Sequence, residues 1–344
     1  MLQVHNLTGA LFLNRPVSRG ASCISTYELT VHNPVDRKMS FQLKPDEPLK
    51  LGFVRITEEQ IDRSLAEVND TERSQKERIH QARIRCKKIR ALLRLVRAFG
   101  ESEYDHENTW MRACARPLSE MRDIEVLLET FDLLFENGEK KREKSSRAVR
   151  TWLDVYVKKT TPSSKKIEEA LNLFGEQMRR ARGRMEKFPI ENHLFPSFAA
   201  GFTRTYRQAR HAFESAYSSG DGSSFHEWRK QVKYHYHQVT LFRKAWPPVM
   251  NKVKGQLSKL DDILGSAHDL AVLRELLHKK AKRAVGAEAL KKIDDLIQTR
   301  REQLKDRARF FGARLFIDKP GLQEHHLRKW WKIARQQKSM KIAA

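Results

Sequence analysis

The chain has 344 residues, of which 40% are hydrophobic, and this is enough to build a folded core. Its 67 lysines and arginines against 43 acids give a net charge of +24, which disfavours a compact monomer unless something acidic binds. The composition therefore excludes a disordered tail and indicates a partner among nucleic acids, anionic membrane surfaces and inorganic polyanions.

Three cysteines, Cys23, Cys86 and Cys114, are too few and too scattered for a disulfide framework, and no CxxC pair indicates structural zinc. We therefore expect a reducing, cytoplasmic environment and no metal or other cofactor. The short apolar stretch LTGALFL near the start has no basic residue before it, so no secretory signal is expected. No run approaches the roughly 20 apolar residues that a membrane span requires.

Residues 1–50 differ from the rest, because weak alternation in STYELTVH and MSFQL is compatible with a small hairpin or an extended arm. From Thr57 the pattern becomes helical, and the spacing TEEQ predicts a capping box in which Thr57 and Gln60 bond the first free amides. The pattern predicts helices over 57–69, 72–99, 106–136, 142–160, 164–187, 193–218, 225–245, 249–281, 286–314 and 320–337.

Three features interrupt this pattern. Pro117 is expected to kink or break the third helix, SSGDGSS at 218–224 is expected to be a linker, and WPP at 246–248 to form a turn. The sequence therefore predicts an all-α chain with an N-terminal arm at 1–50, a first helical bundle at 51–219 and a second at 220–338.

An internal repeat relates the two halves at an offset of 146 residues. The matched pairs are His80 with His226, Arg83 with Arg229, Lys87 with Lys233, Leu95 with Leu241, Arg97 with Arg243, Leu118 with Leu264, Asp123 with Asp269, Val126 with Val272 and Leu127 with Leu273. Because a basic helix and an Asp-x-x-Val-Leu helix recur in one register, chance does not account for the match.

The basic helix HQARIRCKKIRALLRLVR, residues 80–97, holds seven lysines or arginines and no acid. At about 100° per residue, one stripe is formed by His80, Arg83, Lys87, Arg90, Arg94 and Arg97. Arg85 and Lys88 lie on the apolar side, where their side chains are expected to extend to water. A charge stripe is usually a solvated face, but its recurrence at His226, Arg229 and Lys233 favours anion binding, with two stripes facing one cavity.

The histidines and aspartates each allow two interpretations. His80 and His226 are either structural hydrogen-bond partners or ligands whose protonated form a bound anion favours. Zinc is disfavoured because cations surround both positions. Asp123 and Asp269 either orient a His or Arg of a neighbouring helix toward the anion or form a helix–helix salt bridge.

These stretches, together with LSEMRDIEVLL, HEWRKQVKYHYHQVTLFRK and LGSAHDLAVLRELL, resemble the CHAD domain, named for its conserved-histidine α-helical fold. The resemblance covers about residues 51–335. It implies two four-helix bundles related by a pseudo-two-fold axis, with basic residues lining a central groove that binds inorganic polyphosphate. It implies no catalytic role.

Carried over by this resemblance, the expected polyphosphate ligands are His80, Arg83, Lys87, Arg90, Arg94, Arg97, Tyr206, Arg207, Arg210, His226, Arg229, Lys230, Lys233 and Arg243. The tetrapeptide YHYH at 234–237 departs from the basic and apolar run expected there, so fewer contacts are expected in the second half.

The sequence thus predicts a cytoplasmic, non-enzymatic, polyphosphate-binding protein, with tethering to polyphosphate granules as one expected role. Single-stranded nucleic-acid binding is the first rival, because Trp228, Tyr234 and Tyr236 are candidates for base stacking. A phosphohydrolase is the second rival, but neither a metal-binding carboxylate cluster nor a nucleophile with its base is evident in the sequence.

Overall fold

A computed structural model describes residues 41–135, 143–190 and 195–343. Its α-helices are α1 Leu49–Asn69, α2 Gln75–Val96, α3 Glu101–Leu133, α4 Lys144–Thr160, α5 Ser164–Glu186, α6 Phe195–Ser219, α7 Gly222–Leu241, α8 Pro247–Leu276, α9 Lys282–Val285, α10 Ala287–Leu315 and α11 Pro320–Ala343. Short 3₁₀ turns follow α2 and α7, and a π-helical turn separates α8 from α9. The described residues contain no strand, so the all-α prediction is confirmed.

The start of α1 differs from the sequence prediction. The helix begins at Leu49, so Thr57 lies in its middle, where its hydroxyl donates to the Phe53 carbonyl at 2.9 Å. The predicted capping box is therefore wrong, because burial of Leu49 and Phe53 favours an earlier start after Pro48. Residues 1–40, which hold most of the predicted arm or hairpin, lie outside the described residues.

Two predicted interruptions are also smaller than expected. Helix α3 continues through Pro117, which is exposed together with Ala113, so water can bond the carbonyl that Pro117 leaves free. Only Gly220 and Asp221 of the predicted linker lie outside helices. Gly220 adopts a φ of 68°, and Asp221 caps α7 by accepting from the Ser224 amide at 2.7 Å. The turn predicted at WPP is confirmed, since α8 begins at Pro247.

The 146-residue repeat extends over whole helices. Shifted by this offset, α1 would begin at Phe195 and α3 at Pro247, where α6 and α8 begin. Helices α2 and α7 match in the same way, and α4 and α5 overlap α10 and α11. This correspondence favours placing the boundary between halves before α6, whereas the sequence prediction placed it after α6.

Helices α1, α2, α3 and α5 pack against one another in the first half. In the second half α7 packs between α6 and α8, α10 covers α8, and α11 covers α6. The halves are joined by packing of α2 against α6 and α7, of α3 against α8, and of α4 against α9 and α10. Since the hydrophobic core is continuous from Leu43 to Trp331, the two repeats share one interior.

The halves approach most closely where α6 crosses the end of α2. A Cβ atom added to Gly201 would lie 2.3 Å from the Leu95 carbonyl oxygen, so only glycine allows this contact. Nearby, the buried Gln238 amide donates to the Ala91 carbonyl at 3.1 Å. These contacts fix α2 against α6 and α7. The repeated basic stripes lie on α2 and α7.

We therefore expect Gly201→Ala to lower the free energy of unfolding by about 3 kcal/mol, because backbone must move to admit the methyl group. Gly255→Ala is the matched control, since its Cβ would meet nothing within 4 Å in the middle of α8, and it should stabilise the protein by about 0.5–1 kcal/mol. Urea denaturation of both variants checks the contrast, and equal effects would contradict the close approach.

Candidate functional site

Helices α2, α3 and α7 bring five basic residues within electrostatic reach of one another. We call them the cationic cluster: Arg83, Lys87, Arg122, Arg229 and Lys233. Every member is half-buried. Arg83 and Lys87 come from the first half and Arg229 and Lys233 from the second, so the two predicted stripes do meet in one place.

Four members of the cationic cluster have no acidic partner. Within the described part of the chain, Arg83, Lys87, Arg122 and Arg229 make no hydrogen bond or ion pair through their side chains. The Nε atoms of Arg83 and Arg229 and Nη1 of Arg122 are buried and unbonded. Buried donors normally find acceptors, because leaving one unsatisfied costs on the order of 1–3 kcal/mol.

Two buried arginines on another side of α2 are paired. Arg78 donates to Glu168 at 2.7 Å, and Arg85, which was expected to reach water, is instead buried and donates to Glu67 at 2.9 Å. That expectation for Arg85 is wrong, because Glu67 on α1 provides a carboxylate at the buried side of α2. Arg78 and Arg85 thus have the carboxylate partners that Arg83, on the same helix, lacks.

Burial and the crowding of like charge lower the pKa of two members of the cationic cluster, Lys87 and Arg83. Burial, together with the positive charges of Arg83, Lys233 and Arg229, lowers the pKa of Lys87 to about 7. Burial also lowers the pKa of Arg83, with Asp123 opposing that shift and Arg122 adding to it. An anion bound here would favour the charged forms of Lys87 and Arg83 and so oppose both pKa shifts.

Three histidines border the cationic cluster. The ring of His80 reaches the surface, but desolvation by the surrounding protein and the charges of Arg122 and Lys87 lower its pKa to about 4. The rings of His226 and His268 lie 4.8 Å apart between centroids. Burial and the charge of Arg229 lower the pKa of both, to about 4 for His268.

The acids of the site are few. Burial raises the pKa of Asp269, while Arg229 and Arg122 oppose the shift, and the same electrostatic neighbourhood contains Asp123. Neither carboxylate forms a hydrogen bond among the described residues, so both the orienting role and the salt bridge predicted for them stay predictions. Asp261 on α8 does form an ion pair, with Lys233 at 2.5 Å.

A second basic group continues along α2. The Arg94 guanidinium lies 3.9 Å from the ring centroid of Tyr234, and Arg90 lies 5.5 Å from it while donating to Asn108 at 3.0 Å. Arg112 contributes a further positive charge beside Arg90. Arg97, at the end of the stripe, is instead ion-paired with Glu101.

The predicted ligands on α6 lie apart from the cationic cluster. The Tyr206 ring is 1% exposed, and its hydroxyl donates to the Asp318 carbonyl at 3.1 Å. Arg210 donates to the same carbonyl at 3.0 Å, whereas Arg207 is exposed and lines a separate cavity between α6 and α7. Their predicted contact with polyphosphate stays a prediction that this placement does not favour.

Two predicted ligands in the second half already have partners. Lys230 is ion-paired with Glu227 one turn earlier on α7. Arg243 donates to the Gln42 side-chain oxygen from Nε at 2.8 Å and Nη2 at 2.6 Å, with that amide oriented toward it. These internal partners leave fewer unpaired cations among the predicted ligands of the second half, and the smaller number of ligand contacts expected there stays a prediction.

Sequence reasoning missed two residues of the site, Arg122 and His268. They occupy equivalent positions in the repeat, each immediately before Asp123 or Asp269. Extending the repeat comparison by one residue would have indicated both. It would not have shown that α3 and α8 place Arg122 and His268 beside the basic residues of α2 and α7, because that depends on helix packing.

The aromatic residues proposed for base stacking do not form an accessible platform. Trp228 is fully buried and Tyr234 is 3% exposed beneath Arg94, while Tyr236 is half-buried. Among the described residues, no three His, Cys, Asp or Glu side chains are arranged to hold a metal ion. No helix in the described ranges has the length and apolar character needed to span a membrane.

Comparison with known proteins identifies the architecture. The family model of the CHAD domain matches residues 55–278. The chain belongs to the CHAD family. Among solved structures, it is similar to the crystal structure of the CHAD domain from the plant Ricinus communis, with a TM-score of 0.50 and 16% identity, covering 84% of this chain and 95% of that one. No curated protein sequence matches the chain significantly.

The cationic cluster lies within the part of the chain that the CHAD family model matches. The match starts within α1 and ends in the π-helical turn after α8, so it includes every member of the cluster together with His80, His226 and His268. At 16% identity, the structural likeness supports the fold alone. What this CHAD domain binds must therefore be argued from its own side chains.

We expect Arg83→Gln and Arg85→Gln to have opposite effects on the empty protein, although they are two residues apart. Arg83→Gln relieves repulsion and should leave the melting temperature unchanged or raise it at low salt. Arg85→Gln removes a buried charge-assisted bond to Glu67 and should cost about 1.5–3 kcal/mol. Thermal and urea unfolding measure both, and a loss of stability in both variants would contradict the unpaired state of Arg83.

Proposed function

We propose that this CHAD domain binds inorganic polyphosphate without catalysing its conversion. The observation that carries the proposal is the half-buried set of unpaired cations contributed by both halves, Arg83, Lys87, Arg122 and Arg229. Polyphosphate carries about one charge per unit along a thin, flexible chain, so it can satisfy several such donors at once. Charge-assisted bonds from guanidinium to phosphate oxygens are among the strongest hydrogen bonds in proteins.

Burial of two of the three candidate stacking residues, Trp228 and Tyr234, supports polyphosphate over single-stranded nucleic acid, since only Tyr236 is partly accessible among them. Base stacking contributes roughly 1–3 kcal/mol per base to nucleic-acid binding, and Trp228 and Tyr234 cannot supply it while buried. A bulky nucleotide would also have to enter a space whose ligands are half-buried. A non-enzymatic role is proposed because the described residues offer cations and imidazoles but no arrangement of metal ligands.

We further propose that the protein acts in the cytoplasm and associates with polyphosphate granules. Long chains in a granule present many equivalent segments, and a site that reads charge spacing rather than chain ends can bind any of them. A high net charge of +24 would add long-range attraction to such a surface.

Binding should depend strongly on salt and on chain length. If the five members of the cationic cluster each neutralise about one phosphate, raising salt from 50 to 200 mM should weaken binding about a hundredfold, by analogy with single-stranded polyanions. Affinity should rise from orthophosphate through tripolyphosphate to long chains. Titration calorimetry in competition with single-stranded DNA of equal charge measures this, and preference for DNA would reverse the assignment.

The two halves should act on one chain together. We expect the double variants Arg83→Gln with Lys87→Gln, and Arg229→Gln with Lys233→Gln, each to weaken long-chain binding at least about tenfold, because two of five charges are lost. Tripolyphosphate should be less affected. Arg179→Gln with Arg180→Gln, exposed on α5, removes the same charge away from the site and serves as the control. Normal long-chain binding by either cluster variant would show that the halves act separately.

A further inference from the structure

The cationic cluster combines two kinds of positive group. The guanidinium groups of Arg83, Arg122 and Arg229 keep their charge throughout the physiological pH range. The Lys87 ammonium and the imidazoles of neighbouring histidines can lose theirs. Each group of the second kind lies within electrostatic reach of at least one arginine of the first kind, so its protonation must respond to an anion bound among these charges.

The surroundings of Lys87 differ from those of its counterpart in the repeat. Lys233 pairs with Asp261 on α8 at 2.5 Å, but the residue that corresponds to Asp261 on α3 is Ala115. Lys87 therefore faces Arg83 on its own helix and Arg229 and Lys233 on α7, and two acids on α8, Asp261 and Asp269, act on it electrostatically without forming an ion pair. The repeat provides one paired lysine and one that lacks a partner.

The histidines have similar surroundings. His80 on α2 faces Arg122 from α3 and Lys233 from α7, as well as Arg83 and Lys87 of its own helix. His268 on α8 faces Arg229 and His226 on α7 and Lys87 on α2. At His226, the charge of Glu227 on the same helix opposes the charges of Arg229 and Lys230. Each ring thus meets mainly positive charge while the site is empty.

We propose that Lys87, with His80, His226 and His268, binds the polyanion only in the protonated form, so that polyphosphate enters together with protons taken from solvent. This inference rests on the proposed function and adds the residues that set its dependence on pH. The covalent structure of the ligand is unchanged, and each proton moves from water or buffer to a side-chain nitrogen.

The direction in which affinity changes with pH follows from the direction of each pKa shift. In the empty protein the pKa of Lys87 is about 7 and those of His80 and His268 are about 4, because burial and cations disfavour the charged forms. Bound phosphates offset the repulsion by neighbouring cations and accept hydrogen bonds from the protonated forms, so they raise these pKa values. Affinity should therefore fall as the pH rises. At lower pH the fall comes from the imidazoles, which must be protonated on binding, and above about pH 7 it comes from Lys87, which must then also be protonated on binding.

Lys87→Arg is the decisive variant, because arginine keeps the charge but does not deprotonate. Between pH 7.5 and 9, wild-type affinity for long-chain polyphosphate should fall by about tenfold per pH unit, the limit for uptake of one proton. The variant should show a much weaker dependence and bind more tightly than wild type at pH 9, while the two agree at pH 6. Calorimetry in buffers of different ionisation enthalpy counts the protons directly.

A triple variant, His80→Gln, His226→Gln and His268→Gln, should lose the remaining proton uptake between pH 4.5 and 6 and keep that of Lys87. Tight, salt-sensitive binding with no proton uptake in wild type would overturn this inference and leave the proposed function standing. Failure of long-chain polyphosphate to bind at any pH would overturn the proposed function itself. Equal pH dependence of wild type and Lys87→Arg would remove Lys87 from the inference.

Discussion

Positive charge held in a half-buried space without acidic partners is the constraint on which the rest of this structure depends. Arg83, Lys87, Arg122 and Arg229 repel one another, and partial burial strengthens that repulsion relative to bulk water. A fold that tolerates this must gain stability elsewhere. The apolar side of α2, with Ile79, Cys86, Ile89 and Leu93 essentially excluded from solvent, belongs to a core that extends through both halves.

Rigid helices make this constraint useful for binding. Since α2 and α7 carry their cations at intervals of three and four residues, successive charges on one helix are separated by about 4.5–6 Å along its axis. The backbone contact between Gly201 and Leu95 holds α6 against α2, and the bond from the Gln238 side chain to the Ala91 carbonyl holds α7 against α2. For the polyanion binding proposed above, the fold thus fixes the spacing of the two basic stripes and only side-chain rotamers would have to adapt, which would limit the entropy lost on binding.

The sequence was sufficient to predict the helices and the basic residues that the two halves share, because both depend on periodic patterns. Period 3.6 located the helices to within a few residues except at the start of α1, and the repeat identified the pairs Arg83 with Arg229 and Lys87 with Lys233. The errors arise where tertiary packing decides. Thr57 lies inside a helix because Leu49 and Phe53 are buried, and Arg85 pairs with Glu67 of another helix. Gly220 and Asp221 suffice for the connection between α6 and α7. Likewise, only the packing of α3 and α8 reveals Arg122 and His268.

The departures from the repeat explain more of the chemistry than the repeat does. A shared scaffold gives equivalent backbone positions, yet Ala115 stands where the second half has Asp261, and Arg122 where it has His268. Lys233 is consequently paired while Lys87 is not, and the first half contributes more permanent charge. A symmetric site with an aspartate beside both lysines would be easier to fold, but each carboxylate would compete with phosphate for its cation. The asymmetry thus leaves one lysine that a polyanion can neutralise without displacing an internal partner, and the surrounding cations make its charge depend on pH.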